Sequence, residues 1–348
     1  MILYIFVAVL TVFLGLMVNN HCKIQQNIVS RQQILNRLCL VSVFLLLFGL
    51  AACRLNVGND YAKYVEFMHL INCDAFVPTE AGFNWIVRII YNLSGFENYL
   101  LVFAFFAFFT VLIFMAAIYR QADSFGFSFF LFMAFGYYFQ SFNTVRYYLA
   151  LAIAVAVIPY VLGRQWFKFI LLVLLGATLH KSILVVIPLY FLASLTWKKW
   201  QLGLAAVFCS TFFFMQDFYL KVVVFLYPTY EDTEYLEGGT SIVNIARCLA
   251  VLIFSLIYYK NTVKDKRRNR FYFYCNLGAL VMYVCCSFLP IISRIGYYLT
   301  FTHIFFLPAL MKGVENKNLK KLFTVGVIGA AVLYFAVFIL MKAGNDGL

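Results

Sequence analysis

Seven charged or titratable side chains stand in or beside apolar sequence, where a low dielectric makes them costly to keep: Asp60, Arg88, Arg146, His180, Lys181, Arg247 and Arg294. Arg146, Lys181 and Arg294 fall at or just before the first turn of an apolar run, where a cation opposes the helix dipole. An anion shared between the free backbone N–H groups and the cation removes that conflict. Two guanidinium forks among the three favour a phosphate or diphosphate, with Arg88 as a fourth cation. His180 suits a general base because imidazole titrates near neutrality, and Asp60 is the second candidate. No DxD-like pair, CxxC or His/Cys ligand spacing is evident, so the chemistry is expected to need no metal or cofactor. Structural roles stand beside each of these. An arginine near a helix end also serves as a snorkelling anchor. Asp60 also suits a helix N-cap after Gly58-Asn59, and His180 a neutral, hydrogen-bonded ring; His21, His69 and His303 are read as structural.

The elements that must position these groups are membrane helices. The 348 residues are 64% hydrophobic and 12% charged, with a mean hydropathy of +0.89. Soluble domains carry about 25% charge, so a soluble protein is excluded. The fold class expected is all-α, a polytopic integral membrane protein whose residues 1–348 form one transmembrane domain. Apolar runs near 2–18, 36–53, 98–118, 125–140, 146–163, 168–179, 183–196, 201–218, 242–259, 271–289, 295–311 and 322–341 give about twelve spans. Runs as short as 168–179 do not cross an untilted hydrocarbon core, so broken or partial helices are expected among them.

Charge sorts by side. The gaps holding Lys23 to Arg37, Arg120, Arg164 and Lys168, Lys198 and Lys199, Lys260 to Arg270, and Lys312 to Lys321 contain 18 of the 27 cations. Their only acids are Asp123, Asp265 and Glu315, which makes this the cytoplasmic face and puts both termini outside. The net charge of +13 therefore reflects topology and not a nucleic-acid partner. The first run has no basic leader or small-residue cleavage site and reads as a retained helix. Most of the nine cysteines lie in or beside spans; Cys53 and Cys73 are the two that a disulfide could join outside.

Two outer segments are long. In 54–97 a helix over Phe83 to Leu93 is expected, with Ile86, Ile89, Ile90 and Leu93 on one face and Asn84, Arg88 and Asn92 on another, interfacial or re-entrant. Segment 217–241 is acidic and rich in Tyr, suited to a lid in which Tyr230, Glu231, Asp232 and Tyr235, with Tyr61 of the first segment, meet sugar. An interfacial aromatic belt is the alternative.

Gly58-Asn59-Asp60-Tyr61 with Tyr64, Glu80-Ala81-Gly82-Phe83, Phe142-Asn143-Thr144-Val145-Arg146 with Ala150, Leu179-His180-Lys181-Ser182 and Ser293-Arg294-Ile295-Gly296-Tyr297 resemble the EpsG-type, Wzy-like polysaccharide polymerases. The resemblance covers roughly residues 50–300 and departs mildly at Leu179, where a Phe is common. It implies a glycosyltransferase of the bacterial inner membrane that acts on O-antigen, capsule or exopolysaccharide. Its partners would be oligosaccharides linked to polyprenyl (undecaprenyl) diphosphate, membrane lipid, and a chain-length regulator and flippase. The growing glycan is moved from its diphosphate to the next lipid-linked unit, with Arg146 and Arg294 on the departing diphosphate and His180 or Asp60 as base. A lipid-linked glycan ligase shares this chemistry. A flippase should show charges reached from both sides and internal symmetry, and an O-acyltransferase should place its His toward a cytoplasmic thioester.

Overall fold

A computed structural model describes residues 2–21, 30–226, 242–288 and 292–345. The chain is 80% helical, with no strand among the described residues. The first part of the chain forms α1 (Ile2–Leu16), α2 (Arg31–Ala52), α3 (Tyr61–Asn72), α4 (Ala81–Ser94), α5 (Tyr99–Gln121), α6 (Phe125–Ala134), α7 (Tyr137–Gln140), α8 (Val145–Ala156), α9 (Ile158–Leu162) and α10 (Trp166–Ala177). A 3₁₀ turn, Lys181–Val185, leads into α11 (Val186–Ser194), α12 (Lys199–Phe214), α13 (Gln216–Leu226), α14 (Ile242–Ile257) and α15 (Tyr259–Thr262). The chain continues through α16 (Arg267–Cys285), α17 (Ile292–Thr300), α18 (His303–Lys312) and α19 (Lys317–Asn345).

A helix or a pair of helices stands at each of the twelve apolar runs, but several runs are broken. Run 125–140 is α6 and α7 joined through Gly136, whose φ of 74° lies in the left-handed region that glycine tolerates. Run 295–311 divides into α17 and α18. Among the described residues, four helical stretches are long and apolar enough to cross a membrane: Arg31–Ala52, Tyr99–Gln121, Val145–Leu162 and Lys317–Met341. A fifth results if Lys199–Phe212 and Gln216–Val222, bent by 85°, count as one span. The segment 54–97 holds two helices, α3 and α4, where one was expected. Cys53 and Cys73 are both free thiols.

The chain packs as two compact units. Residues 1–159, 167–184 and 315–348 form the first, in which α5 lies against both α2 and α8, and α1 against α2 and α6. Helix starts are fixed locally. Ser30 and Gln33 make a reciprocal capping box at α2, and the Asn98 side chain accepts the Leu101 N–H at the start of α5. Polar side chains tie apolar helices together: the Tyr138 hydroxyl donates to the Leu47 carbonyl at 2.7 Å and the Gln121 amide to the Val155 carbonyl at 2.9 Å. In the second unit, residues 160–166 and 185–314, α16 packs on α11, α14, α17 and α18. There the His303 ring meets the Asn276 side-chain oxygen at 2.8 Å, and the Asn276 amide donates to the Cys248 carbonyl at 3.1 Å.

What seats the site is an apolar cluster in which α3 and α4 close over α5 and α8. Tyr61, Tyr64, Met68, Phe83, Val87, Ile90, Phe103, Phe106, Val145 and Leu149 are among its buried members. The buried face of α4 is Phe83, Val87, Ile90 and Tyr91, with Ile86 packed beside it, while Leu93 is 82% exposed. The rotation has a packing cause, because Phe83 at 0% exposure reaches Phe106 and Tyr64. Burial of a large apolar side chain is worth roughly 1.5–3 kcal/mol. Phe83→Ala is therefore expected to cost about 3–5 kcal/mol, seen as a large drop in the apparent melting temperature of the purified chain. Leu93→Ala should stay within about 0.5 kcal/mol, and equal losses at both positions would show that α4 is turned the other way.

Candidate active site

Glu80 is the N-cap residue of α4 and makes no side-chain cap bond, which leaves its carboxylate for other donors. Three reach it. The Arg146 guanidinium, from the first turn of α8, pairs with Oε2 through Nη1. The His180 ring approaches Oε1 with Nδ1 at 3.1 Å, and the Lys181 backbone N–H donates to the same oxygen at 3.0 Å. These groups come from positions 66 and about 100 residues away in sequence.

The approach is set by small residues. The Gly82 N–H donates to the Thr178 carbonyl at 2.9 Å, and a Cβ on Gly82 would lie 2.6 Å from that oxygen. Only glycine lets the start of α4 lie against the turn that follows α10. On the other side Arg146 rests over the rings of Phe83 and Tyr64, at 5.2 and 5.6 Å from their centres, and His180 meets Tyr147 edge-on. The site is therefore built on the apolar cluster, with aromatic faces holding its cation.

Burial by itself would raise the Glu80 carboxyl, but the His180 hydrogen bond, the Arg146 charge and the Lys181 N–H outweigh it and pull the pKa down to about 2. An ionised carboxylate only accepts hydrogen bonds, so His180 must carry its proton on Nδ1, and the basic lone pair is placed on Nε2. Glu80 and Arg146 side chains are only 10% and 13% exposed, so losing either partner strands a nearly buried charge at a cost of about 3–5 kcal/mol. The assembly can do one thing well: fix the ring orientation with Nδ1–H on the carboxylate, so that the ring, when neutral, offers Nε2 as its proton acceptor.

Of the residues singled out from sequence, Arg146, His180 and Lys181 are brought together here. Asp60 is the N-cap residue of α3 but makes no side-chain cap bond. Tyr61, expected against sugar, is instead buried and stacked on Phe103 at 4.8 Å, because its ring completes the α3 to α5 contact. Arg88 lies outside the cluster on the exposed face of α4, paired with Asp74 at 2.7 Å. Arg294 stands in the first turn of α17, in the second compact unit. Tyr230, Glu231, Asp232 and Tyr235 lie outside the described residues.

Sequence reasoning missed Glu80 as a functional group. Its local signals are its place in the Glu80-Ala81-Gly82-Phe83 segment and an acid set directly before an apolar helix, where a carboxylate also favours the dipole. It also missed a His/Cys pair one helical turn apart, His69 and Cys73, which with Glu97 has potential metal-ligand atoms within 4.8 Å of one another on an exposed surface. Glu97 there accepts from the His69 ring at 3.0 Å and the Asn72 amide at 2.8 Å, pinning the α4–α5 turn to α3.

Arg54 was not singled out either. It follows α2, is 7% exposed, and lies between Phe103 and Phe142 with its guanidinium carbon 5.0 and 5.1 Å from the ring centres. Burial lowers its pKa to about 10, so it stays charged at neutral pH. Among the described residues no carboxylate is within ion-pair distance of it. Two cation–π contacts return about 2 kcal/mol each when desolvated, against a burial penalty of several kcal/mol for an ion, so the rings leave the charge under-compensated.

An all-helical membrane protein with a buried carboxylate, arginine and histidine is thus the class that the fold and site define. The EpsG family profile matches residues 37–348, and the chain belongs to that family. The family is one of glycosyltransferase-like polymerases, which makes the chain, in general terms, an enzyme of exopolysaccharide synthesis. No curated protein and no solved structure matched the chain.

Because the folded Glu80 carboxyl lies below its ordinary value of 4.5, its stabilisation is full above about pH 4.5 and is lost as pH falls through about 2. The gap in melting temperature between wild type and Glu80→Gln should stay constant from pH 7 to about pH 5 and narrow below it. A gap independent of pH down to about 3 would mean that the carboxylate charge is not what the network uses.

Proposed function

We propose that the chain polymerises lipid-linked oligosaccharide repeat units, with His180 as the general base. The carrying observation is the Glu80 carboxylate on the His180 ring, which commits Nε2 to accept a proton. In the step proposed, an acceptor sugar hydroxyl gives its proton to Nε2 while its oxygen forms the new bond to the donor's anomeric carbon. The bond from that carbon to the polyprenyl diphosphate breaks, and the lipid diphosphate leaves with the electron pair. Arg146 is engaged in holding Glu80, and Lys181 and Arg294 stay assigned to the departing charge from their places in the sequence. Asp60 remains the alternative base. Tyr230, Glu231, Asp232 and Tyr235 remain assigned to a sugar-covering lid.

The topology that goes with this reading is multi-pass in a bacterial inner membrane, with about twelve spans, both termini outside and the site facing outward. It rests on the segregation of 18 of 27 cations. In a background without other reactive thiols, Cys73 should be labelled by an impermeant maleimide from outside and a cysteine at Asp265 only from inside. The reverse pattern would remove the outward-facing site.

His180→Ala should leave expression intact and lower polymer formation from purified lipid-linked units by about 10²–10⁴, read as loss of the product ladder. His69→Ala, an exposed histidine, should leave the ladder nearly unchanged. Equal losses would give both histidines structural roles, and a single transfer product in place of a ladder would mark a ligase.

A further inference from the structure

Arg54 is a nearly buried guanidinium that the chemistry above does not use. Its ring contacts are Phe103 and Phe142, and its Nε is sealed from solvent with no hydrogen-bond partner. The Tyr61 hydroxyl, on the ring that stacks on Phe103, is likewise buried with no acceptor for its proton, beside the Asn56 backbone. Two donor groups that nothing accepts from, around one uncompensated positive charge, ask for a ligand that is all acceptor. What sets this pair apart from other buried polar atoms is that both lie against the Phe103 ring beside an unpaired guanidinium.

The surrounding backbone packs closely against it. The loop from Arg54 to Asp60 runs through Asn56 at φ 51° and Gly58 at φ 107°, and a Cβ on Gly58 would lie 2.4 Å from the Phe142 carbonyl oxygen. Gly58 thus lets the loop lie directly on the segment that supplies one wall of the Arg54 box. The same aromatic wall leads to the candidate active site, because Phe103 contacts Tyr64, over whose ring Arg146 lies. Arg146 already has Glu80 as its counter-charge, whereas Arg54 has none among the described residues.

We propose that Arg54 and Tyr61, walled by Phe103 and Phe142, form a binding site for one phosphoryl group. A phosphoryl oxygen pair suits a guanidinium fork and offers a further oxygen to the hydroxyl, and it supplies the missing negative charge. That this group is the diphosphate of the lipid-linked donor rests on the polymerase reading; the site itself does not. The same chemistry could come from a phospholipid headgroup.

The test uses the full chain in a neutral detergent with two probes, farnesyl diphosphate and phosphatidylglycerol, and reads the apparent melting temperature. A phosphoryl ligand should stabilise wild type in proportion to its occupancy. Arg54→Met should fold, since it removes a buried uncompensated charge and keeps the packing, and should bind about 10- to 100-fold more weakly. Arg54→Lys keeps the charge without the fork and should fall between; it carries the test if the Met variant does not fold. Stabilisation by farnesyl diphosphate that Arg54→Met loses assigns the site to a donor-type diphosphate. The same dependence for phosphatidylglycerol alone keeps the phosphoryl site and assigns it to membrane lipid. Equal stabilisation of wild type and both variants, or none by either probe, overturns the proposal. Arg54-dependent binding in a chain that makes no polymer from lipid-linked units would sink the polymerase reading and leave the site standing, and polymer without such binding would do the opposite.

Discussion

Everything at the candidate active site depends on one nearly buried carboxylate. Glu80 is 10% exposed, and a carboxylate that far from water survives ionised only if its oxygens are filled by donors and its charge is matched. Arg146 supplies the matching charge, and His180 and the Lys181 N–H supply hydrogen bonds. Remove Glu80 and three consequences follow together: a nearly buried guanidinium loses its partner, the histidine loses what fixes its tautomer, and the turn after α10 loses one of its two ties to α4. Positioning and electrostatics are the same interaction here, which is why a stability effect and an activity effect should travel together in Glu80 variants.

The aromatic cluster beneath converts helix packing into that geometry. Phe83, at the start of α4, touches Tyr64 of α3 and Phe106 of α5, and also forms part of the floor under Arg146. A side chain that is core for α4 is therefore wall for the site. A guanidinium held over ring faces keeps donors directed at a carboxylate without a second acid, and an extra acid in an already costly environment would have to be desolvated as well.

Much of the site was legible in sequence, through a single idea: charges in apolar surroundings need a reason. That idea finds Arg146, His180 and Lys181, because each stands where an apolar run starts or stops. It passes over Glu80, which lies in a polar connection, and whose partners are fixed only when α4 docks on the turn after α10. It passes over Arg54 for the opposite reason, since a lone arginine after α2 reads as an ordinary interfacial anchor until Phe103 and Phe142 are seen to close on it. Isoleucine periodicity marks α4 as a helix, but which face meets protein is decided by Phe83, which reaches a ring on another helix. Helix positions were legible because they depend on local hydrophobicity. Breaks such as the one at Gly136 were not, because they depend on where neighbours allow a turn.

Arg54 and Arg146 then form an instructive pair. Both are nearly buried guanidinium groups resting on two aromatic rings, and the rings belong to one continuous cluster through Phe103 and Tyr64. Their difference is the counter-charge. Arg146 is neutralised by Glu80, so its net field on a ligand is weak and its main product is the orientation of His180. Arg54 has no such partner among the described residues, so its field is available to an anion. On the proposed transfer the two divide the work, with Arg146 holding the base through Glu80 and Arg54 meeting the charge that develops as the bond breaks.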